Sequence, residues 1–222
     1  MVSAFITFEG IDGCGKSTQL RLLASVLRLR HTDVVSTREP GGTPLGQKLR
    51  LALLEAEAQV DPLAELLLYA ADRAQHVRSL VRPAISSGHV VLSDRYADAT
   101  VAYQGAGRGF EPELVAQIVE LATGGLKPDL TLLFDLPVAQ ARERAGSRAR
   151  NGRTGDRLEA EDPAFHERVR EAYLKIAAAE PGRVRIIDAA RSVEETHASV
   201  KEIVLPFLES RGQRSEISEE LI

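Results

Sequence analysis

The 222-residue chain is 44% hydrophobic and 27% charged, enough for one α/β domain with a proper core. Its formal net charge of −4 gives no global basic field for nucleic acid or a membrane surface. A single cysteine excludes an internal disulfide and a Cys-rich metal site, and a reducing cytoplasm is the expected setting. The N-terminal stretch lacks the pattern of a signal peptide, and the apolar runs are too short to span a bilayer.

In chain order, Ser3–Phe8 (SAFITF) is an apolar, β-branched run ending at a glycine loop, which predicts a buried strand. Lys16–Arg30 carries leucines at 20, 23 and 27 and predicts an amphipathic helix. Val34–Thr37 predicts a second strand, and the Gly- and Pro-dense Arg38–Gly46 a loop. Pro62–Ser87 reads as a long helix, Val90–Ser93 as strand three and Glu111–Thr123 as helix. Leu130–Phe134 predicts strand four, and a helix starts over Pro137–Ala145. The polar Ala149–Asp156 reads as a mobile loop inside a lid at about 146–158. Pro163–Ala179 predicts helix, Val184–Ile187 strand five and Val193–Leu208 the last helix. Residues 1–212 are expected to form one domain, with 213–222 a flexible polar tail. Solidly apolar strands alternating with helices predict a three-layer α/β fold, with a five-stranded parallel sheet covered on both faces. Ligands in such sheets bind at the carboxyl ends of the strands, where the motifs below fall.

The stretch FEGIDGCGKST fits the phosphate-loop pattern G-x-x-x-x-G-K-[ST]. Its residues Gly10, Ile11, Asp12, Gly13, Cys14, Gly15, Lys16, Ser17 and Thr18 are the candidate triphosphate-binding set. Glycines let successive backbone N–H groups face phosphate oxygens, and the following helix adds its positive dipole end. Lys16 is expected at the β- and γ-phosphates, and the Ser17 hydroxyl at Mg2+. Cys14 reads as a small residue that fits the loop rather than a reactive thiol.

No guanine-reading N-K-x-D segment and no D-x-x-G after a strand is present, which argues against a GTPase switch. A motor or DNA-dependent ATPase would usually be longer or more basic. A small nucleotide or nucleoside kinase remains. It must hold two anionic substrates face to face, so it needs arginines outside the loop. Arg38 in TREPGGT, Arg95 in SDRYADATVAYQGAGRG, and Arg142, Arg144, Arg148, Arg150, Arg153 and Arg157 in the lid segment qualify. The lid arginines could equally be a solvated helix face paired with Glu143 or Glu159.

FEGIDGCGKST, TREPGGT, LLYAADRAQH, SDRYADATVAYQG and DRLE occur here in an order and spacing that resembles bacterial thymidylate kinases, over residues 3–208. The resemblance implies a P-loop NTPase fold and Mg2+-dependent phosphorylation of dTMP to dTDP by ATP in a homodimer. It implies that Asp12 accepts from the 3′-hydroxyl of the acceptor sugar and that Arg38 holds the dTMP phosphate. Tyr69 stands where a ring stacks on thymine, Arg73 where an arginine donates to the base, and Thr100 at the base edge. Asp94 would help hold Mg2+ through water, and Arg95 would bridge the two phosphates. Tyr103 would crowd the 2′ position of the sugar, and Gln104 would line the same pocket. Some relatives carry an arginine at the position of Gly13; its absence here directs the catalytic role to Arg148 and Arg153 beside Lys16 and Arg95. Tyr69 replaces a commoner Phe, and Ala99-Thr100 replaces a pair often rich in Ser or Asn. By their own chemistry, Tyr69 and Tyr103 could instead be core aromatics, and Asp94 a strand-end cap. A kinase for another nucleoside or monophosphate, or a non-catalytic nucleotide-binding module, are the alternatives.

Overall fold

The computed structural model describes residues 3–54, 60–150 and 157–219, the side chains of 148–150 and 213–219 excepted. Strands β1 (Ala4–Glu9), β2 (Val34–Arg38), β3 (Val90–Asp94), β4 (Leu130–Asp135) and β5 (Val184–Asp188) make one sheet in the order β2-β3-β1-β4-β5. Every pairing is parallel. All five expected strands are present, and each runs one residue further than its apolar run. The added residues are Glu9, Arg38, Asp94, Asp135 and Asp188. Backbone pairing continues to these positions, as in Arg38↔Asp94 and Asp135↔Asp188, while their charged side chains sit at the carboxyl edge. Hydrophobicity therefore stops one residue before the strand does.

β1 lies in the middle of the sheet and is buried along its whole length. Ala4, Ile6 and Phe8 point to a large core with Leu20, Leu23 and Leu27 of α1 (Lys16–Leu29) and Val200 and Val204 of α9 (Val193–Glu219). Phe5 points the other way, onto Val77, Val81, Val91 and Tyr96. Its ring meets Tyr96 edge-on at 4.8 Å. Burying each such Leu or Phe is worth about 1.5–3 kcal/mol. Side chains alternate along a strand, so Thr7 and Glu9 share the face of Phe5. Thr7 pairs with Thr131 at 2.8 Å, and Glu9 is completely buried.

The long helix expected over Pro62–Ser87 is α3 (Pro62–His76), a π-helical turn at Val77–Val81 and α4 (Arg82–Ser86) in continuous succession. Pro83 has no N–H to give, and the extra residue per turn just before it absorbs that gap. Asp61 caps α3 by accepting from the N–H groups of Leu63 and Ala64.

Four segments depart from expectation. A helix, α2 (Pro44–Leu54), starts inside the stretch expected to be loop; Pro44 suits a first helical turn. The motif after β3 is itself helical, as α5 (Ala97–Thr100) and a π-helical segment at Val101–Gly107. α7 (Val138–Arg150) runs into the expected lid, because ARERA supplies strong helix formers; the rest of the expected mobile loop, 151–156, lies outside the described residues. α6 (Pro112–Thr123) and α8 (Pro163–Ala179) match their expected spans to a residue. α9 is helical past Gly212 to Glu219, where a flexible tail was expected. Its Arg, Gln, Ile and Glu residues are compatible with helix. No described helix is long and apolar enough to cross a membrane.

Candidate active site

Three connections leave the carboxyl edge side by side: 10–15 after β1, 39–43 after β2, and 95–96 after β3. They border a cleft of about 460 Å³, within the range of ligand pockets.

The first connection has a shape only glycine permits at two points. Gly10 sits at φ 134°, and a Cβ there would lie 2.5 Å from the Phe134 carbonyl oxygen. Gly13 sits at φ 91°, and a Cβ there would lie 2.3 Å from the Ala141 carbonyl oxygen on α7. The loop thus rests on β4 and α7. α1 starts at Lys16 with no side-chain cap, which leaves first-turn N–H groups toward an anion. Gly13, Gly15, Lys16, Ser17 and Thr18 line the cleft. Gly10, Ile11 and Cys14 are not among the lining residues: the Ile11 and Cys14 side chains turn into the core. Burial pushes the Cys14 thiol up, consistent with an unreactive group.

Asp12 is the junction of the site. Its carboxylate accepts from Arg95 Nη2 at 2.8 and 2.9 Å, from Lys16 Nζ at 3.3 Å and from the Tyr103 hydroxyl at 3.2 Å. Burial opposes its ionisation, but the charges of Arg95 and Lys16 outweigh burial and hold the carboxyl well below the usual range. Arg95 stands over the Tyr103 ring at 4.8 Å and donates through Nη1 to Gly10 O at 3.1 Å and to the Tyr173 hydroxyl at 3.3 Å. Its φ of 72° is rare for a residue with a side chain and holds the guanidinium beside the phosphate loop.

The acceptor half of the cleft is lined by Arg38, Tyr69, Arg73, Thr100, Tyr103 and Gln104, all singled out from the sequence. Tyr69 is buried on α3 with an edge in the cleft. Arg73 is buried and held by Glu39 at 2.8 Å, Thr100 Oγ1 at 2.7 Å and Tyr96 O at 2.9 Å. His76 fixes Glu39 from the other side at 2.8 Å. Gln104 donates to Glu65 at 2.8 Å. Arg38 is exposed and, among the described residues, has no hydrogen-bond or ion-pair partner. A wall of hydrogen-bonded polar side chains therefore faces one unpaired guanidinium.

Asp94, at the end of β3, accepts a short hydrogen bond from the Ser17 hydroxyl. Both residues line the cleft beside Lys16. No group of three or more His, Cys, Asp or Glu side chains placed to hold a metal ion exists among the described residues. A hydroxyl and one carboxylate fit a Mg2+ that keeps waters and takes substrate phosphates, rather than a cation caged by protein.

The lid arginines separate. Arg144 donates to Ala189 O at 2.8 Å, and Arg142 is exposed. Arg157 is tied to Glu65 and to Leu53 O. Arg153 and the side chains of Arg148 and Arg150 lie outside the described residues. Ala145 on one side and Leu158 and Glu159 on the other line the cleft, so the lid segment leaves and returns at its mouth.

Sequence reasoning missed Arg50, which lines the cleft from α2 and donates to Pro40 O at 3.1 Å. It also missed Glu65, a fully buried acid that gathers Gln104, Arg108 and Arg157, and the Glu9–Tyr173 pair behind Arg95. Three arginine-rich segments around one helical glutamate could have signalled the first cluster; nothing in the pattern signals the second.

A family model described as Thymidylate kinase matches residues 8–200. A thymidylate kinase of Geotalea uraniireducens is 50% identical over 211 residues, covering 93% of this chain and 99% of that protein. One from Gloeobacter violaceus is 51% identical over 213 residues, covering 96% and 99%. The crystal structure of thymidylate kinase from Ehrlichia chaffeensis superposes with a TM-score of 0.74 at 33% identity, covering 92% of this chain and 99% of that one. With the loop, cleft and sheet order above, this extent of match over almost the whole length shows that the chain belongs to the thymidylate kinase family.

Proposed function

We propose that this chain transfers the γ-phosphoryl group of ATP to dTMP, giving ADP and dTDP. The observation that carries the reading is Asp12: one carboxylate joins the loop lysine to Arg95 and Tyr103 of the acceptor half. The triphosphate and acceptor sites therefore share a wall. Lys16 and the α1 N-terminus hold the triphosphate. Arg38 holds the acceptor phosphate, Tyr69 stacks on the base, and Arg73 and Thr100 meet the base edge. Tyr103 fills the space that a 2′-hydroxyl would need, which favours deoxyribose. Asp12 accepts from the 3′-hydroxyl. Ser17 and Asp94 would hold Mg2+, which would supply charge neutralisation on the phosphates.

A phosphate oxygen attacks in line. It is already anionic, so no strong base is needed. Lys16 and Arg95 face the charge that develops in transfer, and Arg148 or Arg153 adds to it from the lid. A homodimer in the cytoplasm completes the reading. Exposed Leu63 and Leu67 on α3 and Leu114 and Leu121 on the adjoining α6 supply an apolar surface for a second copy.

The test is ADP release measured with a panel of acceptors. Turnover is expected with dTMP and Mg2+, and little with ribonucleoside monophosphates. Phosphorylation of thymidine but not dTMP, or ATP binding with no transfer to any acceptor, would overturn the proposal.

A further inference from the structure

Two residues behind the cleft do not line it, yet determine where Arg95 stands. Glu9 ends β1 and is completely buried. Its Oε1 accepts from the backbone N–H of Tyr96 at 2.7 Å, and its Oε2 accepts from the Tyr173 hydroxyl at 2.8 Å. The oxygen of that same hydroxyl accepts from Arg95 Nη1. We propose that Glu9 and Tyr173 are positioning residues for Arg95, one fixing its backbone turn and the two together fixing its guanidinium. This rests on the reading of Arg95 as the cation between the two phosphates.

The argument starts from strain. A non-glycine residue at φ 72° persists only when its surroundings over-determine it, at a cost of about 1–3 kcal/mol. The surroundings here do so. Arg95 N–H donates to Phe8 O at 3.0 Å, Arg95 O accepts from Ser93 Oγ at 2.7 Å, and the next N–H is held by Glu9. The Tyr96 hydroxyl is anchored on Leu126 O at 3.0 Å. Each peptide on either side of the left-handed turn has a partner, and Glu9 supplies the one that follows it.

The side chain is held by the same acid at one remove. Nη1 has two protons; Gly10 O takes one and the Tyr173 oxygen the other. Nη2 is taken by Asp12 and Tyr103. Without the Tyr173 oxygen, the guanidinium can rotate about its own plane while keeping Asp12. Tyr173 comes from α8, which begins shortly after the lid, and its ring packs edge-on against Tyr103 at 6.4 Å. Burial pushes the Tyr173 phenol well above its ordinary value, so it keeps its proton. A buried acid is costly, and burial, with Asp98 nearby, pushes Glu9 up to about 8. A purely structural role predicts that removing these contacts lowers stability alone.

Steady-state kinetics of wild type, Tyr173→Phe, Glu9→Gln, Arg95→Ala and the double variant Tyr173→Phe/Arg95→Ala separate the two roles. Tyr173→Phe keeps the ring and its packing. It is expected to lower kcat about tenfold, equivalent to ~1.4 kcal/mol, with KM for ATP and dTMP within about threefold of wild type. Glu9→Gln is expected to act in the same direction. Arg95→Ala is expected to lower kcat by about 10³ or more. In that background, Tyr173→Phe is expected to do nothing further, because its effect passes through Arg95. Multiplying effects in the double variant, or a Tyr173→Phe protein with lowered thermal stability and unchanged kcat, overturns the positioning role while leaving Arg95 in place. Near-normal kcat in Arg95→Ala overturns the reading of Arg95 itself, and this inference with it.

Discussion

Asp12→Asn removes the negative charge shared by Lys16 and Arg95 while nearly preserving shape. In the folded chain the carboxylate takes two contacts from Arg95 Nη2, one from Lys16 and one from Tyr103. A hydrogen bond to a charged group is worth about 1.5–3 kcal/mol. The Asp12 side chain is 21% exposed, so water screens part of this. A net loss of about 1–2 kcal/mol is expected, and a chain of this size then loses about 2–8 °C in Tm. Binding should split unequally. The 3′-hydroxyl of dTMP loses a charged acceptor, which weakens dTMP about tenfold or more. Lys16 loses a competitor for phosphate, so ATP affinity changes less than about threefold. Isothermal titration with each substrate measures the split. dTMP lacking its 3′-hydroxyl completes a cycle: it should bind wild type weakly but Asp12→Asn as well as dTMP does. Equal losses for ATP and dTMP, or an undiminished effect of removing the 3′-hydroxyl in the variant, would refute the sugar contact.

Tyr69→Leu keeps bulk but removes the ring; stacking is worth ~1–3 kcal/mol, so KM for dTMP should rise about 5- to 150-fold with ATP little changed. An unchanged KM would return Tyr69 to the core. Glu65→Gln leaves Arg108 and Arg157 without their shared buried charge and is expected to cost about 2–4 kcal/mol in urea unfolding, less than a fully buried pair because both arginines keep some exposure. A loss below about 0.5 kcal/mol would remove Glu65 as the anchor of the lid's far end. Asp72 is buried with one carboxylate oxygen lacking any partner, and burial, with Glu39 beside it, pushes it up to about 6. The folded state keeps this proton where the unfolded chain has released it, so this contribution makes stability fall as pH rises from about 4 to about 6. The fall attributable to Asp72 is about 2–3 kcal/mol, and Asp72→Asn should abolish it. Parallel stability–pH curves for wild type and Asp72→Asn would contradict the assignment.

The sheet was legible because its strands are short apolar runs between turn signals, and the missing final residue of each was not. Arg38 and Asp94 belong to strands by backbone pairing and to the cleft by side chain, so a pattern built on hydrophobicity breaks at that boundary. The phosphate loop was legible because its spacing states its mechanism. α2 was hidden by the proline and glycines of PGGTPLG, and Arg50 was hidden with it. The helical course of Val101–Gly107 was hidden by two glycines in seven residues. Asp12 was expected to serve the acceptor sugar; that it also binds both cations required the third dimension, because Arg95 and Tyr103 arrive from another strand end. Arg157 is a further case: a positive charge in a lid suggests phosphate, while the structure pairs it with a buried carboxylate on α3.

The central claim is a single, direct transfer between two nucleotides that meet across Asp12. The stereochemical course at phosphorus tests it most directly. ATP made chiral at the γ-phosphorus is turned over with dTMP, and the configuration is read in the dTDP formed. One in-line displacement predicts inversion. Retention would mean a covalent stop on the protein, and absence of labelled dTDP would mean that the two substrates do not meet in this cleft.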